Sequence, residues 1–127
     1  MITVLPCKDK EEIKKRFLNL RLEYSENSGF VSAKSGDEEL GFCLYYLDEK
    51  SICILNLEPQ NDIMLADGVL RSALHVAAER SAMDARYADT APVELFKKLD
   101  FIKNEDEHTL NIDKLFGGCG CKSPQQT

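Results

Sequence analysis

The sequence has no tryptophan, only two histidines and no long apolar run. A helix that spans a bilayer needs about 18 or more consecutive apolar residues, so the pattern argues against a helical membrane protein. The segment from Met1 to Pro6 also lacks the basic residues that begin a secretion signal, and charged residues follow from Lys8. We therefore expect a soluble, cytoplasmic protein with no membrane partner.

Basic residues are also scarce. The chain has 16 Lys and Arg against 22 Asp and Glu, and its formal net charge is -6. A protein that binds nucleic acid through the phosphate backbone needs clustered Lys and Arg on one face. We expect no nucleic-acid partner, and the same charge disfavours phosphorylated cofactors unless local groups compensate.

The sequence contains five cysteines, an odd number, and a disulfide framework is improbable in a reducing compartment. Cys7, Cys43 and Cys53 lie in or beside apolar runs, where a free thiol behaves as a small hydrophobic residue. Cys119 and Cys121 lie in a glycine-rich tail, residues 117–127, which we expect to be flexible. They could chelate a soft metal or cycle as a dithiol, but two thiols supply only half of a closed zinc site. We expect no metal site in the domain.

The apolar pattern predicts a single α/β (α+β) domain over residues 1–116, with a mixed, mostly antiparallel central sheet flanked by helices. In the run Leu40–Leu47 both alternating sets are apolar, which is typical of a central strand covered on both faces. Asn61 and Asp62 are good caps for the longest helix. The predicted strands are Ile2–Leu5, Phe30–Lys34, Leu40–Leu47, Ile52–Leu57, Ala85–Ala88, Phe101–Lys103 and Thr109–Ile112, with helices after Asp9, after Asp62 and from Thr90 to Leu99.

One segment carries a family resemblance. Residues Leu95–Phe101, L-F-K-K-L-D-F, are similar to the L-Y-x-K-L-G-F segment near the end of domains in the GNAT superfamily of N-acetyltransferases. The order of predicted elements, a strand, a helix, a three-strand meander, a long helix and the closing elements, also resembles that superfamily. Core packing of Leu95, Leu99 and Phe101 would explain the segment equally well. The resemblance covers residues 1 to about 112 and implies a GNAT-like fold with acetyl-CoA as cosubstrate.

The resemblance also implies a cofactor site. The superfamily motif Q/R-x-x-G-x-G/A lies before the long helix, where backbone N–H groups hold a pyrophosphate. Its best register here is Leu65–Leu70, in which Gly68 matches and leucines replace the Gln/Arg and the second small residue. The loop from Pro59 is predicted to be about one helical turn longer than usual. Asp62 or Asp67 would compete with the phosphates for the helix N-terminus. The implied cofactor-binding residues are Leu55, Asn56 and Leu57 through their backbone, with Leu65, Gly68, Val69, Leu70 and Phe96.

The catalytic residues are less clear from the pattern. Glu58 matches the carboxylate that deprotonates the amine in family members, although a Glu before Pro59 at a strand end is also typical of a solvated charge. Phe96 stands where many members have a Tyr that protonates the leaving thiolate, and Phe has no proton to give. Tyr45 or Tyr46 could replace it, but adjacent strand residues point to opposite faces. We assign the role to Tyr46, while a core position explains either residue equally well.

Three hypotheses for the function follow. The first is a GNAT-like N-acetyltransferase that moves an acetyl group from acetyl-CoA to a primary amine of a small molecule or peptide, with a homodimer possible by resemblance. The alternative is a non-catalytic GNAT-fold module that binds another ligand or a protein, because the second small residue of the motif and the phenol are missing and the start of the long helix is acidic. A third hypothesis makes the Cys119 and Cys121 tail the working part.

Overall fold

A computed structural model of the chain describes residues 2–80 and 84–111. The elements run in the order β1 (Ile2–Pro6), α1 (Lys10–Asn19), β2 (Ser28–Ser35), β3 (Glu38–Leu47), β4 (Ser51–Glu58), α2 (Ile63–Glu79), β5 (Asp84–Tyr87), α3 (Val93–Leu99), β6 (Ile102–Asn104) and β7 (Thr109–Leu110). Within the described residues they form one seven-stranded sheet in the order β1-β2-β3-β4-β5-β7-β6. Neighbouring strands are antiparallel except β4 and β5, which run parallel.

This architecture confirms the predicted fold class, a mixed and mostly antiparallel sheet with helices on both faces. The predicted strands and helices all occur, with β2 beginning at Ser28 rather than Phe30 and α3 beginning at Val93 rather than Thr90. Ile112, the end of the predicted closing strand, and the tail with Cys119 and Cys121 lie outside the described residues. None of the helices in the described ranges is long and apolar enough to cross a membrane.

The interior strand β3 separates two hydrophobic clusters, as its doubly apolar pattern predicted. On one face, Cys43, Tyr45 and Leu47 pack with the apolar stripe of α2. On the other face, Leu44 packs with Ile13 and Phe17, the two buried residues of α1. The sheet therefore has an α1 side and an α2 side. The side on which a β4 side chain lies determines which helix and which cluster it can contact.

Helix α1 is also held to the sheet by a half-buried ion pair. The Arg16 guanidinium donates from Nη1 to Glu39 Oε1 at 2.7 Å and from Nη2 to Oε2 at 3.0 Å. Ser32 Oγ donates to the same Oε2 at 2.6 Å. The guanidinium carbon lies 4.7 Å from the ring centroid of Phe30 and 4.9 Å from that of Phe42, which is cation–π distance. This bidentate geometry fixes α1 to β2 and β3.

The Glu39 carboxylate makes the stability of the fold depend on pH. Burial alone would raise its pKa, but hydrogen bonds from Arg16 and Ser32 and the charges of Arg16 and Lys34 outweigh burial and lower the pKa. A carboxyl group whose pKa is lowered by folding adds stability above its unfolded pKa, near 4.5, and this stability is lost as the pH falls through the folded value. We expect Glu39→Gln to be less stable than wild type at pH 7 and the difference to shrink below about pH 4.5 in urea unfolding. Glu38→Gln, on the exposed start of β3, is the control; a constant difference across pH would contradict the prediction.

Candidate functional site

The two parallel strands β4 and β5 part halfway along β4. Their pairing runs from Ser51 opposite Asp84 to Ile54 opposite Tyr87, and the Ala88 N–H donates to the Ile54 carbonyl at 2.9 Å. Beyond this point β5 has ended, while β4 continues to Glu58. The carboxyl end of parallel strands is where open α/β sheets bind ligands. We call the gap beside residues 55–58 the β4 slot.

A β-bulge lies at the start of the β4 slot. The β3–β4 register changes between Leu44 opposite Asn56 and Tyr45 opposite Ile54, so Leu55 is the additional residue. Its side chain packs in the α1-side cluster, whereas Leu57 packs in the α2-side cluster. Such bulges re-aim side chains and are common next to active sites.

Side chains of the same chain satisfy two main-chain groups of the β4 slot. The Leu55 carbonyl accepts a hydrogen bond from Thr90 Oγ1 at 2.7 Å. The Leu57 N–H donates to Asn56 Oδ1 at 2.8 Å. These are main-chain groups of the stretch Leu55–Leu57, which the resemblance assigns to the binding of acetyl-CoA. A ligand that pairs with this stretch must displace the Thr90 hydroxyl or the Asn56 amide, or bind to neighbouring groups.

The start of α2 faces a similar competition, as the sequence predicted. Asp62 caps the helix: its Oδ1 accepts from the Leu65 N–H at 3.2 Å, and its carbonyl accepts from the Ala66 N–H at 2.9 Å. The N–H groups of Ile63 and Met64 are also in the first turn, where a helix has no internal acceptor for them. The cap places a carboxylate where an anionic ligand would bind.

The segment Leu65–Leu70 lies within α2, in its first two turns. The residues expected to lengthen the loop after Pro59 instead form the first helical turn, so the loop is only Pro59–Asp62. Val69 and Leu70 are fully buried in the α2-side cluster, and Leu65 is partly buried against it. Gly68 is partly exposed, and a Cβ added to it would meet nothing within 4 Å. The structure therefore does not bring the side chains of Val69 and Leu70 to the β4 slot.

Phe96 belongs to the core. It is fully buried, and its ring centroid lies 5.4 Å from that of Tyr87. Leu95, Leu99 and Phe101 are buried beside it, which confirms the packing interpretation of this segment. Asp100 ends α3 at φ 60°, so a non-glycine residue adopts the left-handed conformation there.

The two residues predicted to be catalytic are far apart. Glu58 lies opposite Phe42 at the end of β4, is partly exposed, and accepts a hydrogen bond from Gln60 Nε2 at 3.2 Å. Tyr46 lies opposite Cys53 and four residues along β3 from Phe42, the partner of Glu58, which corresponds to roughly 13 Å along a strand. The structure therefore does not bring Glu58 and Tyr46 together.

The Tyr46 side chain packs against α1. Its hydroxyl donates to the Glu23 carbonyl, and its ring centroid lies 5.8 Å from that of Phe17. Burial, together with the nearby charge of Glu23, raises the pKa of the hydroxyl. Tyr45, the other candidate, is on the α2 side and 5% exposed. Both tyrosines pair with residues of β4 that precede the β4 slot.

Two residues of the slot were missed by sequence reasoning. The sequence pattern predicts only a helix start at Thr90, and its hydrogen-bond partner Leu55 is 35 residues away in the chain. Gly41 on β3 approaches the end of β4 so closely that a Cβ would lie 2.6 Å from the Glu58 carbonyl oxygen and 2.8 Å from Pro59 Cδ. An isolated glycine within a strand pattern is a signal of close backbone approach and could have indicated Gly41.

No protein-family model and no curated protein matches the sequence. The fold is similar to that of the GNAT family acetyltransferase SP0256 from Streptococcus pneumoniae TIGR4, with a TM-score of 0.54 and 17% identity over 80% of this chain and 88% of that one. It is also similar to Ard1 from Thermoplasma volcanium, with a TM-score of 0.52 and 14% identity over 85% of this chain and 92% of that one. These likenesses confirm the GNAT fold that the segment Leu95–Phe101 and the order of elements predicted.

Proposed function

We propose, starting from the GNAT fold, that the chain is an N-acetyltransferase that takes acetyl-CoA in the β4 slot and acts on a primary amine. The observation that carries the proposal is the parting of β4 and β5 at the bulge of Leu55. It leaves the last four residues of β4 without β5 as a partner, next to the start of α2.

The main-chain carbonyl and N–H groups of the slot suit a pantetheine arm, provided that the side chains of Thr90 and Asn56 release the groups to which they are hydrogen-bonded. Pantetheine is built from amides, which pair with exposed main-chain carbonyl and N–H groups, as a neighbouring strand would. Thr90 is exposed, and its hydroxyl can turn from the Leu55 carbonyl to water. The N–H groups of Ile63 and Met64 remain for a phosphate at the start of α2. Acetyl-CoA would supply the acetyl group as a reactive thioester.

Glu58 is the residue that would accept the proton of the amine. By its pairing with Phe42 it lies on the α1 side of the sheet, at the end of the slot, and it is partly exposed to solvent. A carboxylate in this position can take the proton directly or through one water before the nitrogen attacks. Phe96 cannot protonate the leaving thiolate, so that proton comes from solvent. The acceptor is a primary amine of a small molecule or a peptide.

The proposal is tested by isothermal titration calorimetry with acetyl-CoA at low salt. We expect saturable binding, and we expect Glu58→Gln to keep this binding while losing the amine-dependent release of free thiol. If acetyl-CoA binds neither the wild-type chain nor a variant with an opened slot, the proposal fails.

Thr90→Ala supplies the opened slot. Without the hydroxyl, the Leu55 carbonyl has no partner in the free protein and gains one when an amide of the ligand binds. A hydrogen bond contributes about 0.5–1.5 kcal/mol net, so the dissociation constant for acetyl-CoA should fall roughly two- to tenfold. Thr90→Ser keeps the hydroxyl and should bind like wild type. Equal affinity of the two variants would show that the carbonyl takes no part in binding.

A second function is favoured by specific contacts. Thr90, Asn56 and Asp62 occupy the groups that a coenzyme would use, and the general acid position is the buried Phe96. A GNAT-fold module that has lost catalysis and binds another ligand or a protein would have this arrangement. Release of free thiol from acetyl-CoA that depends on an added amine would refute this alternative.

A further inference from the structure

A second pocket, of about 610 Å³, lies at the other end of α2. It opens where β1 ends, β2 begins and β3 ends, and Val76, Glu79 and Arg80 line it from the helix side. The 17 residues of α2 separate it from the β4 slot by about 25 Å. Its volume is in the range of sites for small molecules, about 300–1,000 Å³. It is thus a site of its own, independent of the proposed acetyl transfer.

A buried hydroxyl without a partner lines this pocket. Tyr45 is 5% exposed, and in the described part of the chain its hydroxyl neither donates nor accepts a hydrogen bond. Its ring packs against Gly29, where an added Cβ would lie 2.8 Å from the ring. Burial raises the pKa of the hydroxyl to about 12, so it stays protonated and can donate. Buried hydroxyl groups are normally hydrogen-bonded, which points to a partner that comes from outside the chain.

The rim of the pocket carries an excess of cations. Lys8, Lys10 and Arg80 line it, and none of the three has an ion pair within residues 2–80 and 84–111. The carboxylates on the same rim are Glu26 and Glu79, and Glu79 faces His75 at 3.9 Å. Arg80 and Tyr45 both line the pocket, and the charge of Arg80 partly offsets the effect of burial on the pKa of the Tyr45 hydroxyl.

Part of the remaining wall is apolar, and Asn27 and Ser28 add polar groups beside it. Ile13, Leu47 and Val76 contribute side chains to the apolar part. A pocket with an apolar wall, a buried neutral donor and unpaired cations matches a ligand that has an apolar body and one anionic group. We propose that this pocket binds a small organic carboxylic acid in its anionic form, with a carboxylate oxygen accepting from the Tyr45 hydroxyl and Arg80 holding the charge.

The experiment uses three probes of one shape: benzoate, benzyl alcohol and benzylamine. They are titrated into the full chain while amide chemical shifts are followed by NMR. We expect benzoate to bind saturably at about millimolar concentration, with shifts at Gly29, Tyr45 and Val76. Benzyl alcohol should bind at least tenfold more weakly, and benzylamine, with the opposite charge, should not bind.

Tyr45→Phe removes only the unpaired hydroxyl, so its melting temperature should equal or exceed that of wild type while benzoate binding weakens at least tenfold. Arg80→Gln on the exposed rim should weaken benzoate similarly, and Lys103→Gln on β6 should not. The proposal is overturned if benzoate does not bind, if it binds wild type and Tyr45→Phe equally, or if benzylamine binds as well as benzoate. If benzoate does not bind, water is the only hydrogen-bond partner of the Tyr45 hydroxyl.

Discussion

Phe17→Ala is expected to lower the free energy of unfolding by about 3–5 kcal/mol, the range for removing a buried Phe. Phe17 is fully buried and is one of two core residues on α1. Its ring contacts Tyr46 and meets Tyr24 edge-on at 6.4 Å between centroids, so its loss leaves a cavity that several partners line. Urea unfolding at pH 7 measures the change.

The neighbouring Leu18 is the control for this prediction. It is 59% exposed, so Leu18→Ala should change stability by less than about 0.5 kcal/mol. If both variants lost little stability, α1 would be held mainly by the ion pair of Arg16 and Glu39, and the assignment of Phe17 as its anchor would be wrong.

Gly41→Ala is expected to cost about 1–3 kcal/mol, as overpacking does in a rigid site. The added Cβ would meet the Glu58 carbonyl and the Pro59 ring, neither of which can swing away as a flexible side-chain end would. The end of β4 must therefore shift, which displaces Glu58. On the proposed function, amine-dependent thiol release should be lost with the stability. Urea unfolding and a thiol assay measure the two effects.

Gly68→Ala is the matched comparison, and we expect it to raise the free energy of unfolding where Gly41→Ala lowers it. This position is inside α2, where Ala is favoured over Gly by about 0.5–1 kcal/mol, and its surroundings are open. The variant should therefore be more stable than wild type. A loss of stability in Gly68→Ala, or none in Gly41→Ala, would contradict the backbone contacts described for these two positions.

The strands and helices were predictable because the apolar residues of each element recur with the period of a strand or of a helix. Alternation in Leu40–Leu47 indicated a strand with two apolar faces, and the two clusters on either side of β3 confirm it. Asp62 was identified as a cap because a side-chain oxygen before an apolar periodic run satisfies the first N–H groups of a helix. These features depend on residues within a few positions of one another, so the sequence contains the relevant information.

The slot was less predictable because its contacts are long-range. In Ile52–Leu57 most residues are apolar, so no break in alternation marks the bulge at Leu55. The distance between Glu58 and Tyr46 follows only from the β3–β4 register. The Thr90 hydrogen bond requires that the loop after β5 fold back over β4. The cofactor register was transferred by resemblance, and resemblance could not show that Val69 and Leu70 face the core.

The bulge at Leu55 affects how this chain is aligned with others. Because one residue is inserted, Leu55 and Leu57 point to opposite sides of the sheet although they are two positions apart. If the bulge were straightened without the loss of a residue, the end of the strand would turn over and Glu58 would lie on the face that now holds Leu57, whereas deletion of Leu55 would keep Glu58 on its present face. An alignment to a regular strand that places no gap at Leu55 would therefore match Glu58 with a residue on the opposite face of the sheet, and would name the wrong residue as its counterpart.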